Sequence, residues 1–300
     1  MTPTHELRDA LQALLEEPLV YVDCGARKGK LPKEFRLLGA RYVGFEGDAD
    51  ECRRLNASAP PGQRYVAAFL GSRQETRRFH ITSSPACSSL LPPNLEALAA
   101  FPELSSAFAV ERVVEIETTP LDSALAREGI PRVDFLELDT QGSELEILEG
   151  AAGLLRTGIA GVKVEVEFSP MYVDQPLYAD IDTFMRRHGF LLFDLSRYHV
   201  RRGGLDAGVP TRGQLLWGHA LYLHDDGPLP SEAACRLGVV ATLAGVPDYA
   251  HAVFERIQGA ARDATLRERI QRVLDLMPRG FAAPDDSPLG ASRHKTQWKD

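Results

Sequence analysis

The sequence predicts an α/β fold in which a mostly parallel central sheet carries helices on both faces and is followed by a C-terminal helical extension. Short apolar runs at 19–23, 42–45 and 133–138 have the length and composition of buried parallel strands. Helical spacing follows each run, as the i, i+4 and i+7 positions of Leu31 and Phe35 with Leu38 illustrate. Repeated alternation of strand and helix favours a parallel sheet that is covered on both sides.

The rest of the chain extends this pattern. Further strands are predicted at 65–70, 110–118, 161–168, 190–195 and 215–223, an edge strand or hairpin at 75–82, and helices at 94–100, 121–128, 145–155 and 181–188. Apolar stripes with helical spacing at 250–257 and 266–274 predict the extension. We therefore divide the chain into an N-terminal helix (1–18), a main α/β domain (19–224), a helical extension (225–283) and a flexible tail (284–300).

Composition limits the partners that the protein is expected to have. The 300 residues carry a formal net charge of −8, and the averaged field of such a chain repels phosphate backbones, so we expect no nucleic-acid partner. Mean hydropathy is −0.18, and acids and polar residues interrupt every apolar stretch of the N-terminus. Neither a secretory leader nor a membrane span fits this pattern, so the cytoplasm is the expected compartment.

Cysteine and histidine spacing gives no reason to expect a metal. Cys24, Cys52, Cys87 and Cys235 are far apart, and no pair has the spacing of a zinc site. We therefore predict reduced thiols and no bound metal.

The loop after the first strand has the features of a nucleotide-type site. Asp23 ends the strand, and Gly25 and Gly29 follow where the backbone must approach a ligand closely. The spacing lacks the third glycine of a dinucleotide loop and is one residue short of a Walker loop. Glu46 ends the second strand, where acids accept hydrogen bonds from ribose hydroxyls. An acid, glycines and a second acid suit S-adenosylmethionine, although Asp23 as a helix cap and Glu46 as a solvated strand end is the alternative.

A longer motif resembles a known family. The segment DFLELDTQGSELEILEGA at 134–151 is similar to the hallmark of the FkbM family of S-adenosylmethionine-dependent methyltransferases, and the resemblance covers residues 19–223. It implies a Rossmann-like class I methyltransferase fold and, most often, O-methylation of sugar or polyketide hydroxyls. Position by position it implies donor contacts from Asp23, Gly25, Ala26, Gly29, Glu46 and Asp139. Gly47 departs from the pattern, because many relatives carry proline there.

The acceptor side is predicted less sharply. A hydroxyl oxygen needs a base to take its proton, and the candidates are Asp139, Glu167 and His199. Glu165 shares a strand face with Glu167 and is as readily explained by a salt bridge. A metal held by Asp139 and Glu167 is an alternative to acid–base chemistry alone. The arginine-bearing segment 197–212 is predicted to be a lid that favours an acidic or phosphorylated acceptor.

Two other functions fit the same sequence. A nicotinamide-dependent oxidoreductase is disfavoured by the missing third glycine, and a non-catalytic binding module is disfavoured by the retained acids. We therefore expect a methyltransferase that acts on a small molecule or glycan, with no membrane span; a homo-oligomer is compatible with the sequence.

Overall fold

The main sheet confirms the predicted architecture. The computed structural model describes residues 2–27, 29–204, 206, 208–225, 227 and 229–280, so the predicted tail at 284–300 lies outside the described residues. Eight strands form a sheet of order β10-β11-β8-β7-β1-β2-β3, with β9 also pairing with β11. The five adjacent strands β8, β7, β1, β2 and β3 run parallel to one another. Strands β9, β10 and β11 are antiparallel to their partners. Their bounds are β1 Val20–Cys24, β2 Arg41–Glu46, β3 Gln63–Ala67, β7 Phe135–Leu138, β8 Gly161–Glu167, β9 Phe190–Leu195, β10 Tyr198–Val200 and β11 Gln214–His224.

A second sheet corrects one strand prediction. The strand expected at 65–70 is two strands. The N–H of Ala68 donates to the carbonyl oxygen of Glu46 and so continues the pairing with β2, and after this bond the chain leaves the main sheet. The continuation, β4 Phe69–Gly71, pairs with β6 Val110–Pro120, which also pairs with β5 Glu75–Thr82. The ring of Phe69 then lies directly on Gly47, where a side chain would overlap it.

Helices cover both faces of the main sheet. Their bounds are α1 His5–Gln12, α2 Lys33–Leu37, α3 Ala49–Ala57, α4 Leu95–Leu98, α5 Pro102–Ser105, α6 Leu121–Arg127, α7 Glu144–Glu149, α8 Ala152–Thr157, α9 Tyr178–Arg187, α10 Ser231–Leu243, α11 Pro247–Ala260 and α12 Ala264–Leu276. The single helix expected at 145–155 is interrupted at Gly150, which packs against the carbonyl oxygen of Gly71 too closely for a side chain. No helix in this described part of the chain has the length and apolar content needed to cross a bilayer.

The extension packs against the sheet. Helices α10 to α12 and α1 share one apolar core with Tyr21, Tyr42 and Phe135, whereas α6 to α9 cover the opposite face. Helix α10 was not predicted, because it is buried nearly all round and so lacks an amphipathic stripe. The division of the chain at residue 225 stays a prediction, since the core crosses that boundary.

A buried ion pair fixes α10 to the sheet. Asp134, at the start of β7, accepts hydrogen bonds from the N–H of Val20 (2.7 Å) and from Nη1 of Arg236 on α10 (3.1 Å). Both charged side chains are almost inaccessible to solvent. The first acid of the 134–151 motif therefore has a structural contact that joins β1, β7 and α10.

Candidate active site

The polar residues of the site follow from strand periodicity. Side chains two residues apart in a strand share a face, so the face that carries Tyr21 and Phe135 in the core continues to Asp23 and Glu137 nearer the carboxyl edge. Because β1, β2 and β7 are parallel neighbours, their ends meet at one edge of the sheet. The sequence placed the predicted acids at these ends, and the structure brings them to the same edge.

The glycine loop after β1 packs on the backbone of its neighbours. Gly25 has a φ of 93°, and a Cβ at this position would overlap the carbonyl oxygen of Asp139. A Cβ at Gly29 would overlap the carboxylate of Asp23. The N–H groups of Gly25 and Ala26 both donate to the carbonyl oxygen of Phe45. The loop therefore offers close backbone approach, while these two amides are used internally.

Asp23 lies below this loop and has a partner. Its Oδ2 accepts a hydrogen bond from the Tyr42 hydroxyl at 2.6 Å, and only 3% of the residue is exposed. Burial, together with the charge of Glu137, raises the pKa of Asp23 to about 7. Glu137 in turn accepts hydrogen bonds from the Tyr21 hydroxyl and from Nζ of Lys163, the latter at 2.7 Å.

Glu46 lies at the end of β2, where the sequence predicted a ribose ligand. Its Oε1 accepts a hydrogen bond from the N–H of Asp48 at 2.8 Å, which fixes the carboxylate at the strand end. Burial raises its pKa. The carboxylate is thus held in place by the backbone of the next turn, which is the start of α3.

Further carboxylates gather where β7 and β8 end. We call Asp139, Glu165 and Glu167 the acidic cluster. The amide Nε2 of Gln141 donates to Oδ1 of Asp139 at 2.9 Å and to Oε2 of Glu165 at 2.7 Å, and so joins two members. Glu165 is therefore held by an amide rather than by the salt bridge considered from sequence.

The turn that carries Gln141 has an uncommon conformation. Gln141 has a φ of 60°, in the left-handed region that non-glycine residues rarely adopt. Ser89 Oγ donates to its carbonyl oxygen at 2.6 Å. The Tyr172 hydroxyl, which donates to the carbonyl oxygen of Cys87 at 2.8 Å, also lies 3.2 Å from Oε1 of Gln141. The buried Glu144 carboxylate accepts from the N–H groups of Thr140 and Gly142 at 2.6 and 2.9 Å. These contacts hold the Gln141 side chain between the carboxylates, as expected where strain is retained at a functional site.

Glu167 differs from the other carboxylates because neither of its oxygens has a hydrogen-bond partner among the described residues. It is 1% exposed, and burial, with the charges of Glu144 and Asp139, raises its pKa well above the ordinary value. The Gln175 amide lies near enough to oppose this rise, yet its Nε2 forms no hydrogen bond with the described part of the chain. Gln175 Oε1 is instead engaged by the N–H groups of Met171 and Tyr172.

A histidine of β11 lies beside the acidic cluster. His219 pairs in register with Glu165, and its Nε2 lies 3.9 Å from Oδ2 of Asp139. One ligand atom from each of Asp139, Glu165 and His219 lies within 4.8 Å of the others. The predicted base His199 is in β10, one strand further from Asp139, so its catalytic role stays a prediction.

Sequence reasoning missed Gln141 and His219 as members of the site. The register of an antiparallel strand over fifty residues distant cannot be read from spacing, and that register is what places His219 beside Glu165. Gln141 belongs to the 134–151 motif, so a signal was present, but its turn conformation depends on Ser89 from another segment. Four acids could be identified from sequence because each lies at or near the end of an apolar strand: Asp23, Glu46, Asp139 and Glu167.

Comparison with protein families decides the assignment. The protein-family model described as "Methyltransferase FkbM domain" matches residues 23–192, which is more than half of the chain. The chain belongs to the FkbM methyltransferase family. The match includes the glycine loop, Glu46 and the acidic cluster of this FkbM methyltransferase. It confirms the predicted methyltransferase with S-adenosylmethionine as donor, in preference to an oxidoreductase or a non-catalytic module.

Solved structures similar to this FkbM methyltransferase are distant. A methyltransferase FkbM from Methylobacillus flagellatus is 14% identical with a TM-score of 0.37, covering 67% of this chain and 43% of that chain. Magnesium protoporphyrin IX methyltransferase from Synechocystis with bound SAM is 12% identical, with a TM-score of 0.36 and coverage of 74% and 80%. A putative tRNA (m1A22) methyltransferase from Streptococcus pneumoniae in complex with S-adenosyl-L-methionine is 13% identical, with a TM-score of 0.33 and coverage of 92% and 100%. No curated protein matches the chain.

Proposed function

We propose that this protein transfers the methyl group of S-adenosylmethionine to a hydroxyl oxygen of a small molecule or glycan. The observation that supports an oxygen acceptor is Glu167, a carboxylate buried at the carboxyl edge with neither oxygen hydrogen-bonded among the described residues. Burial makes a carboxylate a stronger proton acceptor, and a hydroxyl must lose its proton during transfer. The expected cytoplasmic location and the absence of a nucleic-acid acceptor stay predictions.

The residues at the edge fit the donor. The donor supplies a methyl group on a sulfonium, and the protein has to bind it and orient the acceptor behind that carbon. Gly25 and Gly29 leave no room for side chains and so permit close backbone approach. Glu46, fixed by the N–H of Asp48, is suited to accept hydrogen bonds from ribose hydroxyls. Of the three acids predicted to contact the donor, Asp139 is the most exposed, at 44% of its side chain. Its backbone lies against Gly25 of the same loop.

The acceptor would meet Glu167 and a pair of aromatic rings. Trp217 pairs in register with Glu167, and its ring stacks on Tyr198 at 5.5 Å between centroids. Flat aromatic surfaces beside a carboxylate suit a ligand that has both an apolar face and a hydroxyl group. Tyr198 belongs to the predicted lid at 197–212, in which Arg202 lies over the Phe101 ring at 5.3 Å. Its preference for an acidic acceptor stays a prediction.

Donor binding is tested by calorimetry with S-adenosylmethionine and its demethylated product. We expect one site per chain and at least tenfold weaker binding in Glu46→Gln, because a neutral amide has one acceptor oxygen instead of two. Glu111→Gln, on an exposed part of β6, is the matched control and should bind like the parent. Equal affinity in parent and Glu46→Gln would remove Glu46 from the donor site.

The acceptor is tested with methyl-labelled donor and an extract of the producing cell, followed by mass analysis of the labelled product. A methyl ether on a small molecule or glycan supports the proposal, and a methyl group on nitrogen or on RNA contradicts it. With the identified acceptor, Glu167→Gln should lower kcat by about 10²-fold or more, the lower end of what a general base contributes. Donor affinity should be unchanged.

A further inference from the structure

We propose that Asp139, Glu165 and His219 bind one divalent first-row transition-metal ion at the carboxyl edge of the sheet. The three residues come from the end of β7, from β8 and from β11, which are adjacent strands. One ligand atom of each lies within 4.8 Å of the other two. The site thus lies on and directly after neighbouring strands of the central sheet rather than on loops alone.

The separations are close to those that an ion would impose. Metal–nitrogen and metal–oxygen bonds of about 2.0–2.2 Å place two ligands about 3 Å apart at right angles and about 4.2 Å apart on opposite sides. Nε2 of His219 and Oδ2 of Asp139 are 3.9 Å apart, inside this range. The other separations within the group are no more than 4.8 Å.

Glu167 provides an independent reason to expect a cation. It is 1% exposed, lies on the same strand face as Glu165, and has no hydrogen-bond partner for either oxygen among the described residues. Unpaired buried carboxylates are costly, and bound cations are one of the ways in which proteins compensate them.

The basic group on this face is already engaged. Lys163 donates to Glu137 at 2.7 Å and lies two residues before Glu165 in β8. The Gln141 amide, which donates to Asp139 and Glu165, is neutral. A cation between Asp139, Glu165 and His219 would supply the positive charge, and Gln141 would then rotate towards Tyr172, whose hydroxyl already contacts its Oε1.

The ligand set points to the class of metal. Mg²⁺ and Ca²⁺ favour oxygen ligands alone, whereas imidazole suits Zn²⁺ and Fe²⁺, and carboxylates suit Mn²⁺. One imidazole with two carboxylates therefore favours Mn²⁺, Fe²⁺ or Zn²⁺. This revises the expectation of no metal, which considered mainly cysteine and histidine spacing. A free coordination position facing Glu167 would accept an acceptor oxygen; that role rests on the proposed function, whereas ion binding does not.

The test uses the full chain, stripped of metal by a chelator and titrated with Mn²⁺ while the free-ion electron paramagnetic resonance signal is followed. We expect one Mn²⁺ per chain, displacement by Zn²⁺ and a raised melting temperature. His219→Gln and Glu165→Gln should each weaken Mn²⁺ binding at least tenfold. His251→Gln is the matched control, because this histidine also lies near a carboxylate, Glu255 at 3.5 Å, but on the surface of α11.

Circular dichroism of each variant without metal checks that it is folded. Absence of stoichiometric binding by both Mn²⁺ and Zn²⁺ in the parent would overturn the proposal, as would parent-like binding in both folded variants. Since neither donor nor acceptor is present, the result is independent of the proposed O-methylation. If the parent protein binds Mn²⁺ but not S-adenosylmethionine, the proposed function is contradicted and the proposed metal site is supported.

Discussion

Two buried acids of the same sheet face show how a single contact changes the role of a residue. Asp23 and Glu167 are both nearly inaccessible, and burial raises the pKa of each. Asp23 receives a hydrogen bond from Tyr42, whereas Glu167 has none from the described residues. Asp23 therefore resembles a supporting group beneath the glycine loop, and Glu167 keeps its oxygens available for a ligand.

The raised pKa of Asp23 predicts how stability depends on pH. In the folded protein the pKa is about 7, against 3.8 for the free side chain, so the folded state holds the proton more tightly. The contribution is therefore fully present below about pH 4 and is lost as pH rises through 7. Asp23→Asn should show a smaller fall in the free energy of unfolding between pH 5 and 8, measured by urea denaturation.

Asp275→Asn, on the exposed side of α12, is the control and should keep the parent's pH dependence. Glu144 has its pKa raised to about 7 as well, mainly by burial, so the fall should shrink in Asp23→Asn without disappearing. An unchanged pH dependence would contradict the burial of an ionisable Asp23.

At the scale of elements, the strands that position the site were predictable and their breaks were not. The acids at the ends of β1, β2 and β7 were found because buried parallel strands are apolar runs that stop at polar residues. The division of 63–71 into β3 and β4 is a change of partner strand, from β2 to β6, and a change of tertiary partner has no local signal. Helix α10 was missed for the related reason that tertiary burial removes its periodic pattern.

The loop between β1 and α2 should be intolerant of any side chain at Gly25. Gly25→Ala adds a Cβ that would overlap the carbonyl oxygen of Asp139, so the loop must move away from the strand ends. We expect S-adenosylmethionine to bind at least tenfold more weakly by calorimetry. Gly62→Ala separates the effect of backbone strain from that of the contact with Asp139. Gly62 also has a positive φ, 82°, but nothing lies within 4 Å of the added atom.

If both alanine variants bind the donor like the parent, the close approach of Gly25 to Asp139 has no bearing on the donor site. If both lose affinity equally, backbone strain rather than the contact is responsible.

The ion pair between Asp134 and Arg236 should contribute strongly to the attachment of α10. Asp134→Ala leaves the buried Arg236 guanidinium with only the exposed carboxylate of Glu232 and a backbone carbonyl among its described partners, and it frees the N–H of Val20. We therefore expect a loss of about 3 kcal/mol in the free energy of unfolding, the lower end for a broken buried pair. Urea denaturation measures it. Combining Asp134→Leu with Arg236→Met should cost less than the two single changes together, because no charge then remains buried; additive losses would argue against a coupled pair.

At the scale of the whole molecule, the C-terminal helices share an apolar core with the sheet. Phe254 of α11 packs on α10 so closely that a Cβ on Gly238 would lie about 2.5 Å from its ring, and both helices share a core with Tyr21. The apolar stripes of α11 and α12 predicted helices, but spacing alone could not say which surface they cover. The structure places them on the face that leads to the site.

A chain that ends at His224 should therefore fail to fold. Removal of α10 to α12 exposes the apolar side chains of the sheet that these helices cover, such as Tyr21, Tyr42 and Phe135. Circular dichroism should then show no cooperative melting of the truncated chain, whereas we expect the full chain to melt cooperatively. A truncated chain with a cooperative transition and intact donor binding would instead support an independent domain from 19 to 224.

The contact between Gly47 and Phe69 constrains how the family can diverge. A side chain at 47 would overlap the Phe69 ring, which itself packs on Phe79 with centroids 4.8 Å apart. The proline that the family resemblance leads us to expect at 47 is thus incompatible with phenylalanine in this position at 69. The two sites should covary through evolution: lineages that acquire the proline should carry a smaller or displaced residue at 69, and each exchange alone should be a poorly tolerated intermediate.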